Sequence, residues 1–206
     1  ATAVLPAAAT TVGDLSRVTA KAAIVVDNSS DRVLLARNPN MPLPPASTTK
    51  LVTALVAVNS GRLDRDVRVS KHASSMQPSK IWLQPGWTMN MRDLVYAMLV
   101  KSANDASVVV AEGLAGSVPS FAQRMNTTAR SLGARNSNFV NPNGLPARGH
   151  YSSAADLAVV VREALTVPEM RQIMGTRAKT IAPRAGSKRS IALHTTNKLL
   201  GKRPYK

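Results

Sequence analysis

Pro44-Pro45, followed shortly by the apolar run Leu51 to Val58, is the feature that most narrows what this chain can fold into. A proline pair is excluded from a helix interior, yet it commonly stands just ahead of one. The spacing therefore predicts a helix that starts near Ala46 or Ser47 and ends near Ser60, where Gly61 suits a left-handed C-cap. Such a helix sets Ser47 and Lys50 at i and i+3, side by side on one face. Ser47 then lies among the free N–H groups of the first turn, whose partial positive charge favours a developing oxyanion. The same field, with partial burial, disfavours a charged ammonium, so a neutral Lys50 could take a proton from Ser47. The plainer alternative is a serine N-cap followed by a solvated lysine.

The rest of the chain reads as strands, a helical middle, then strands. Ala22 to Asp27 and Arg32 to Arg37 have strand length and flank a turn at Asn28 to Asp31, which predicts a hairpin. Val67 to Val69 is at most a short strand, and Ser70 to Gly86 reads as loop. Thr88 is placed to cap a helix through about Val100, and Asp105 to Leu114 makes the next one. Ser117 with Pro119 opens a third, closed by Gly133. Ser153 with Asp156 has the spacing of a capping box, for a helix to about Leu165, and Pro168 to Met174 forms a short one. Arg177 to Ala182 and Arg189 to His194 could pair across Pro183 to Gly186. This order fits an α/β (α+β) fold with helices inserted beside a mainly antiparallel sheet.

A second element joins the serine and lysine. Ser102-Ala103-Asn104 falls between two predicted helices, where its side chains are presented on a turn. On these motifs the chain resembles the serine penicillin-binding proteins, most closely the low-molecular-mass D-alanyl-D-alanine carboxypeptidases. Pro45 to Ala54 looks like the family's nucleophile helix and Met98 to Ser107 like its second motif. The order Leu132-Gly133-Ala134, Phe139 to Leu145 and Tyr151 to Asp156 is similar to the segment that follows. The likeness runs from about Lys21 to Leu200. The family's third motif, Lys-Thr-Gly, has no counterpart: Lys179-Thr180-Ile181 carries no glycine. Thr195 to Leu200 resembles what precedes that motif, so the chain is expected to stop just short of it.

The resemblance implies a β-lactamase/transpeptidase-like fold: an antiparallel sheet flanked by helices, with a helical lobe over about 62–175. Residues 1–18 would be a mobile N-terminal segment and 19–206 the catalytic domain, lacking its last strands. It implies that Ser47 attacks the D-Ala-D-Ala peptide bond, with Lys50 as base and Ser102 relaying a proton to the leaving amine. Asn104 would hold Lys50 or accept the substrate's amide, and the oxyanion would meet the Ser47 N–H and one donor of the third motif. The substrate would be the peptidoglycan stem pentapeptide, with β-lactams as inhibitors. An endopeptidase on the same scaffold is the alternative, or a non-catalytic wall-binding protein if the chain ends at Lys206. A class A β-lactamase is disfavoured because its second motif reads Ser-Asp-Asn.

Composition bounds the rest. At 206 residues, 44% hydrophobic and 18% charged, the chain reads as globular rather than disordered and fits one ordinary domain, or one domain with a helical elaboration. It has no apolar run long enough to span a membrane. It has no cysteine, hence neither disulfides nor thiolate chemistry. The formal charge of +16 raises nucleic acid as a partner, but only 3% of residues are aromatic and no stacking platform or recognition motif accompanies the charge. From Arg171 to Lys206 there are basic residues and no acid. The plain reading is a solvated basic face; for an exported, periplasmic or otherwise extracytoplasmic wall enzyme, attraction to anionic envelope polymers is a natural alternative. His72, His150 and His194 lack metal-ligand spacing and are expected in surface or cap roles. No metal or organic cofactor is implied.

Overall fold

The computed structural model describes residue 16 and residues 18–202. The expectation of a mobile segment over 1–18 therefore falls almost wholly outside the described residues. Strand β1 (Ala23–Val26) pairs antiparallel with β2 (Val33–Arg37). A 3-10 turn, Ala46–Thr48, then leads into helix α1 (Thr49–Asn59). Next come β3 (Asp66–Arg68), α2 (Lys71–Ser74), β4 (Thr88–Asn90) and α3 (Met91–Val100). Helices α4 (Asn104–Ala115), α5 (Val118–Ser131), α6 (Ala154–Thr166) and α7 (Pro168–Met174) follow, and β5 (Ala178–Ile181) pairs antiparallel with β6 (Ile191–His194).

Helix α1 is the hub. It packs against α3, α4, α5, α6 and α7, and Val52, Ala54, Leu55 and Ala57 are wholly inaccessible. A helix apolar on every side can be solvated by nothing else, so the other helices wrap it. Truncating Leu55 to alanine would cost about 2–5 kcal/mol. Gly113 of α4 lies so close to β3 that an added Cβ would stand 2.6 Å from Val67 Cγ1, which fixes that helix against its strand.

The fold is α+β, and every strand pairing is antiparallel. Among the described residues the strands form three two-stranded pieces and not one sheet. Each piece seats on a different helix: β1 against α6, β3 against α4, β5 and β6 against α3. Two local expectations are corrected. The stretch from Ser70 to Gly86 is not all loop, because Ser70 Oγ accepts the Ala73 N–H at 2.9 Å and caps the single turn of α2. Thr88 does not cap α3 but sits in β4 opposite Arg68. The cap is Asn90, whose side chain accepts the Arg92 N–H at 3.2 Å. In both places a few residues settle the outcome through contacts distant in sequence. The helices opened by Ser117 and Ser153 and the β5–β6 hairpin lie where the sequence puts them.

Candidate active site

Ala46 adopts φ +48°, an uncommon conformation for a residue with a Cβ, and turns the chain sharply ahead of Ser47. The 3-10 turn then delivers Ser47 beside Lys50: Nζ lies 3.0 Å from Ser47 Oγ. Lys50 is only 2% exposed. Its one other partner among the described residues is the main-chain carbonyl of Asn143, which accepts from Nζ at 2.7 Å. Among the described residues no carboxylate pairs with it to offset the lost hydration. Burial alone pulls the pKa from 10.5 to about 8. A neutral amine that donates to Asn143 keeps a lone pair, and that lone pair faces the Ser47 hydroxyl.

The loop at 140–144 is the mould for this turn. Thr53 Oγ1 donates to the Pro142 carbonyl at 2.7 Å, one helical turn beyond Lys50. Gly144 (φ +85°) presses against the start of the turn; a Cβ there would stand 1.8 Å from the Ala46 carbonyl oxygen, so no side chain fits. Behind the pair, His150 lies 3.0 Å from Thr49 Oγ1 through Nε2, while Nδ1 accepts the Val140 N–H at 3.1 Å. Because Nδ1 must be an acceptor, Nε2 carries the ring proton and donates it to Thr49. Burial lowers the His150 pKa, which keeps the ring neutral. The expectation of a surface or cap role is thus corrected for His150, which is buried. His72 is paired with Glu112 at 2.8 Å and His194 is exposed on β6.

Ser102 stands between α3 and α4 at φ +59°. The structure brings Ser47 and Lys50 together, but no hydrogen bond among the described residues joins Ser102 or Asn104 to that pair. Asn104 is the first residue of α4 and is buried. Its side-chain amide donates to the Gln77 carbonyl at 2.9 Å and its N–H to the Ser79 carbonyl at 2.7 Å. The adjacent Asp105, fully buried, accepts the N–H groups of Ile81 at 3.2 Å and of Leu83 at 3.1 Å. At the other end of the same loop, Met76 Sδ lies 3.7 Å from Asn143 Nδ2. The loop at 76–83 thereby connects the Lys50 side to the Ser102 turn. Sequence reasoning assigned no role to Asn143, Gly144, Thr49, Thr53 or Asp105. The Asn-Pro-Asn-Gly run marks a turn, but nothing local tells which lysine the turn will face. Among the described residues no cluster of His, Cys, Asp or Glu could hold a metal.

A buried lysine against a serine one turn earlier, on the central helix of an α+β domain, marks the class of serine acyl-transferring proteins that includes penicillin-binding proteins and β-lactamases. The chain belongs to the D-alanyl-D-alanine carboxypeptidase family, whose profile it matches over residues 8–206. It is 37% identical over 186 residues to a D-alanyl-D-alanine carboxypeptidase of Bacillus subtilis, covering 88% of this chain and 47% of that protein. It is 30% identical over 185 residues to a D-alanyl-D-alanine endopeptidase of Pseudomonas aeruginosa, covering 89% of this chain and 59% of that one. The crystal structure of a D-alanyl-D-alanine carboxypeptidase from Mycobacterium tuberculosis superposes with a TM-score of 0.84 at 28% identity, over 98% of this chain and 75% of that one. The chain thus spans about half the length of the curated relatives it matches.

Proposed function

We propose that this chain carries the nucleophile side of a serine D,D-carboxypeptidase that trims the terminal D-alanine from peptidoglycan stem pentapeptides. What carries the reading is one observation: the Ser47 hydroxyl lies 3.0 Å from a buried amine whose pKa is about 8. In this mechanism neutral Lys50 takes the Ser47 proton, and Oγ attacks the carbonyl carbon of the penultimate D-alanine. The tetrahedral intermediate collapses with cleavage of the C–N bond. Its departing amine takes a proton, relayed from Lys50 by Ser102, and leaves as free D-alanine. Water then attacks the acyl-serine, restoring the hydroxyl and releasing the shortened peptide. Ser102 Oγ has no hydrogen-bond partner among the described residues, which leaves it free for the relay. Asn104 commits its amide nitrogen to Gln77, so its oxygen is the group left for the substrate's amide. In β-lactams the lactam amide takes the place of the peptide bond, and its ring-opened acyl group stays on Ser47.

A peptidoglycan substrate would be met outside the cytoplasm, at the cell wall, and that is the location the proposal implies. No helix among the described residues is long and apolar enough to cross a membrane. The exposed Arg177, Lys188, Arg189, Lys198 and Lys202 suit contact with anionic envelope polymers. An endopeptidase cleaving cross-links is the second reading, favoured by the Pseudomonas relative.

Mass mapping of penicillin-treated protein is the test of the site: the adduct belongs on the peptide holding Ser47, and labelling should vanish in Ser47→Ala. An adduct on Ser102 that persists in Ser47→Ala would overturn it. Release of free D-alanine from a pentapeptide, set against cleavage of a cross-linked dimer, separates the two peptidase readings.

A further inference from the structure

Trp82 is 54% exposed, and its backbone stands at φ +63°. That conformation suits glycine and is costly for a bulky side chain, so something must impose it. The neighbours do. Ile81 and Leu83 are 4% and 1% exposed, and Asp105 grips both of their N–H groups from inside α4. With the residues on either side drawn inward, the indole between them is driven out into water. Lys80 covers part of the ring, its Nζ 4.5 Å from the centroid, and also donates to the Ser74 carbonyl at 3.2 Å. The loop that presents this pair touches Asn143 through Met76 and Asn104 through Gln77. An aromatic face and an ammonium are thus fixed together beside the site, held by a carboxylate in the same helix start that holds Asn104.

We infer that Trp82 and Lys80 form a contact surface for the peptide ahead of D-Ala-D-Ala, the indole taking an aliphatic arm and the ammonium a carboxylate. This rests on the proposed function and deepens it by assigning a determinant of substrate length and charge. A flat indole binds an aliphatic arm with little loss of side-chain freedom, and the cation over one face leaves the opposite face to the ligand.

The test compares a long stem peptide with acetyl-D-Ala-D-Ala. Trp82→Ala should raise KM for the long peptide about tenfold with kcat unchanged, and leave the short substrate and the rate of penicillin acylation as they were. Trp82→Phe should restore most of the loss, and Lys80→Met should weaken only peptides that carry the carboxylate. A binding readout needs no turnover. Trp87 is buried, so iodide quenching of fluorescence reads Trp82, and the long peptide should protect it. Equal losses for both substrates, or no protection by the peptide, would overturn the inference. Protection by a peptide-free glycan fragment alone would also overturn it, in favour of a sugar platform. Failure of the proposed function would instead appear as absence of a penicillin adduct on Ser47.

Discussion

At the scale of single residues, the proposed chemistry turns on one imbalance at Lys50. Its amine gives up hydration for a carbonyl and a hydroxyl, neither of which favours its charge as strongly as water does. The protonated form predominates at neutral pH, and the reactive form grows as pH rises through about 8. Acylation by penicillin should therefore climb with pH to a plateau above that value, read as adduct formation by stopped mass analysis. Lys50→Arg should lose acylation by several orders of magnitude at every pH, because a guanidinium stays protonated in proteins. The same depressed pKa bears on stability. Between about pH 8 and 10.5 the unfolded chain holds a proton that the folded one has lost, so the Lys50 contribution rises with pH across that window. Gly144 is the other decisive single position. Gly144→Ala should cut both stability and acylation, since the new methyl can be admitted only by moving the loop off Ala46. A thermal melt and an adduct rate measured on the same sample check this.

At the scale of elements, the site is a helix start pressed into a loop that comes some ninety residues later. His150 fastens the two together, donating to Thr49 and accepting from Val140. Protonating Nδ1 would set two donors face to face. Folded-state affinity for that proton is lowered, so the stability due to this link is present above about pH 6.5 and is lost as pH falls below it. Urea melts of wild type and His150→Gln should diverge in slope over that acid range, the wild type falling faster. Parallel curves would remove His150 from the account. The elements themselves were largely legible beforehand, because their signals are local. Ser117 and Ser153 cap helices by bonding N–H groups three residues on, at 3.2 Å each. The i, i+3 spacing of Ser47 and Lys50 is likewise local, although the 140–144 loop completes its setting. What was hidden is everything that depends on a distant partner. Asp156 looked like half of a capping box, yet its carboxylate bonds the Asn136 N–H and the Ser137 hydroxyl instead. Asn104 is expected to hold Lys50 or to accept the substrate's amide, and nothing local foretells that its side-chain nitrogen holds the carbonyl of Gln77.

At the scale of the whole molecule, charge is distributed unevenly. Two cations of the basic C-terminal stretch meet acids from elsewhere: Lys179 lies 3.7 Å from Asp93 and Arg184 lies 3.9 Å from Asp66. Arg177, Lys188, Arg189, Lys198 and Lys202 face solvent. Association with a polyphosphate-type wall polymer should therefore weaken steeply from low salt to about 0.5 M, as screening shortens below 10 Å. Sedimentation with purified walls in graded salt is the measurement, and salt-insensitive binding would contradict it.

The lysine's reach to Asn143 spans 93 positions of the chain, and that span has a temporal consequence. Helix α1 can form early from local signals, but its amine is then wet and holds its proton as any lysine does. Only when the 140–144 loop docks does the amine become reactive. Under the proposed mechanism a partly folded chain is thus chemically silent, and β-lactam labelling of Ser47 should report completed long-range packing. Labelling kinetics during refolding would time the last docking event, with the antibiotic serving as a clock.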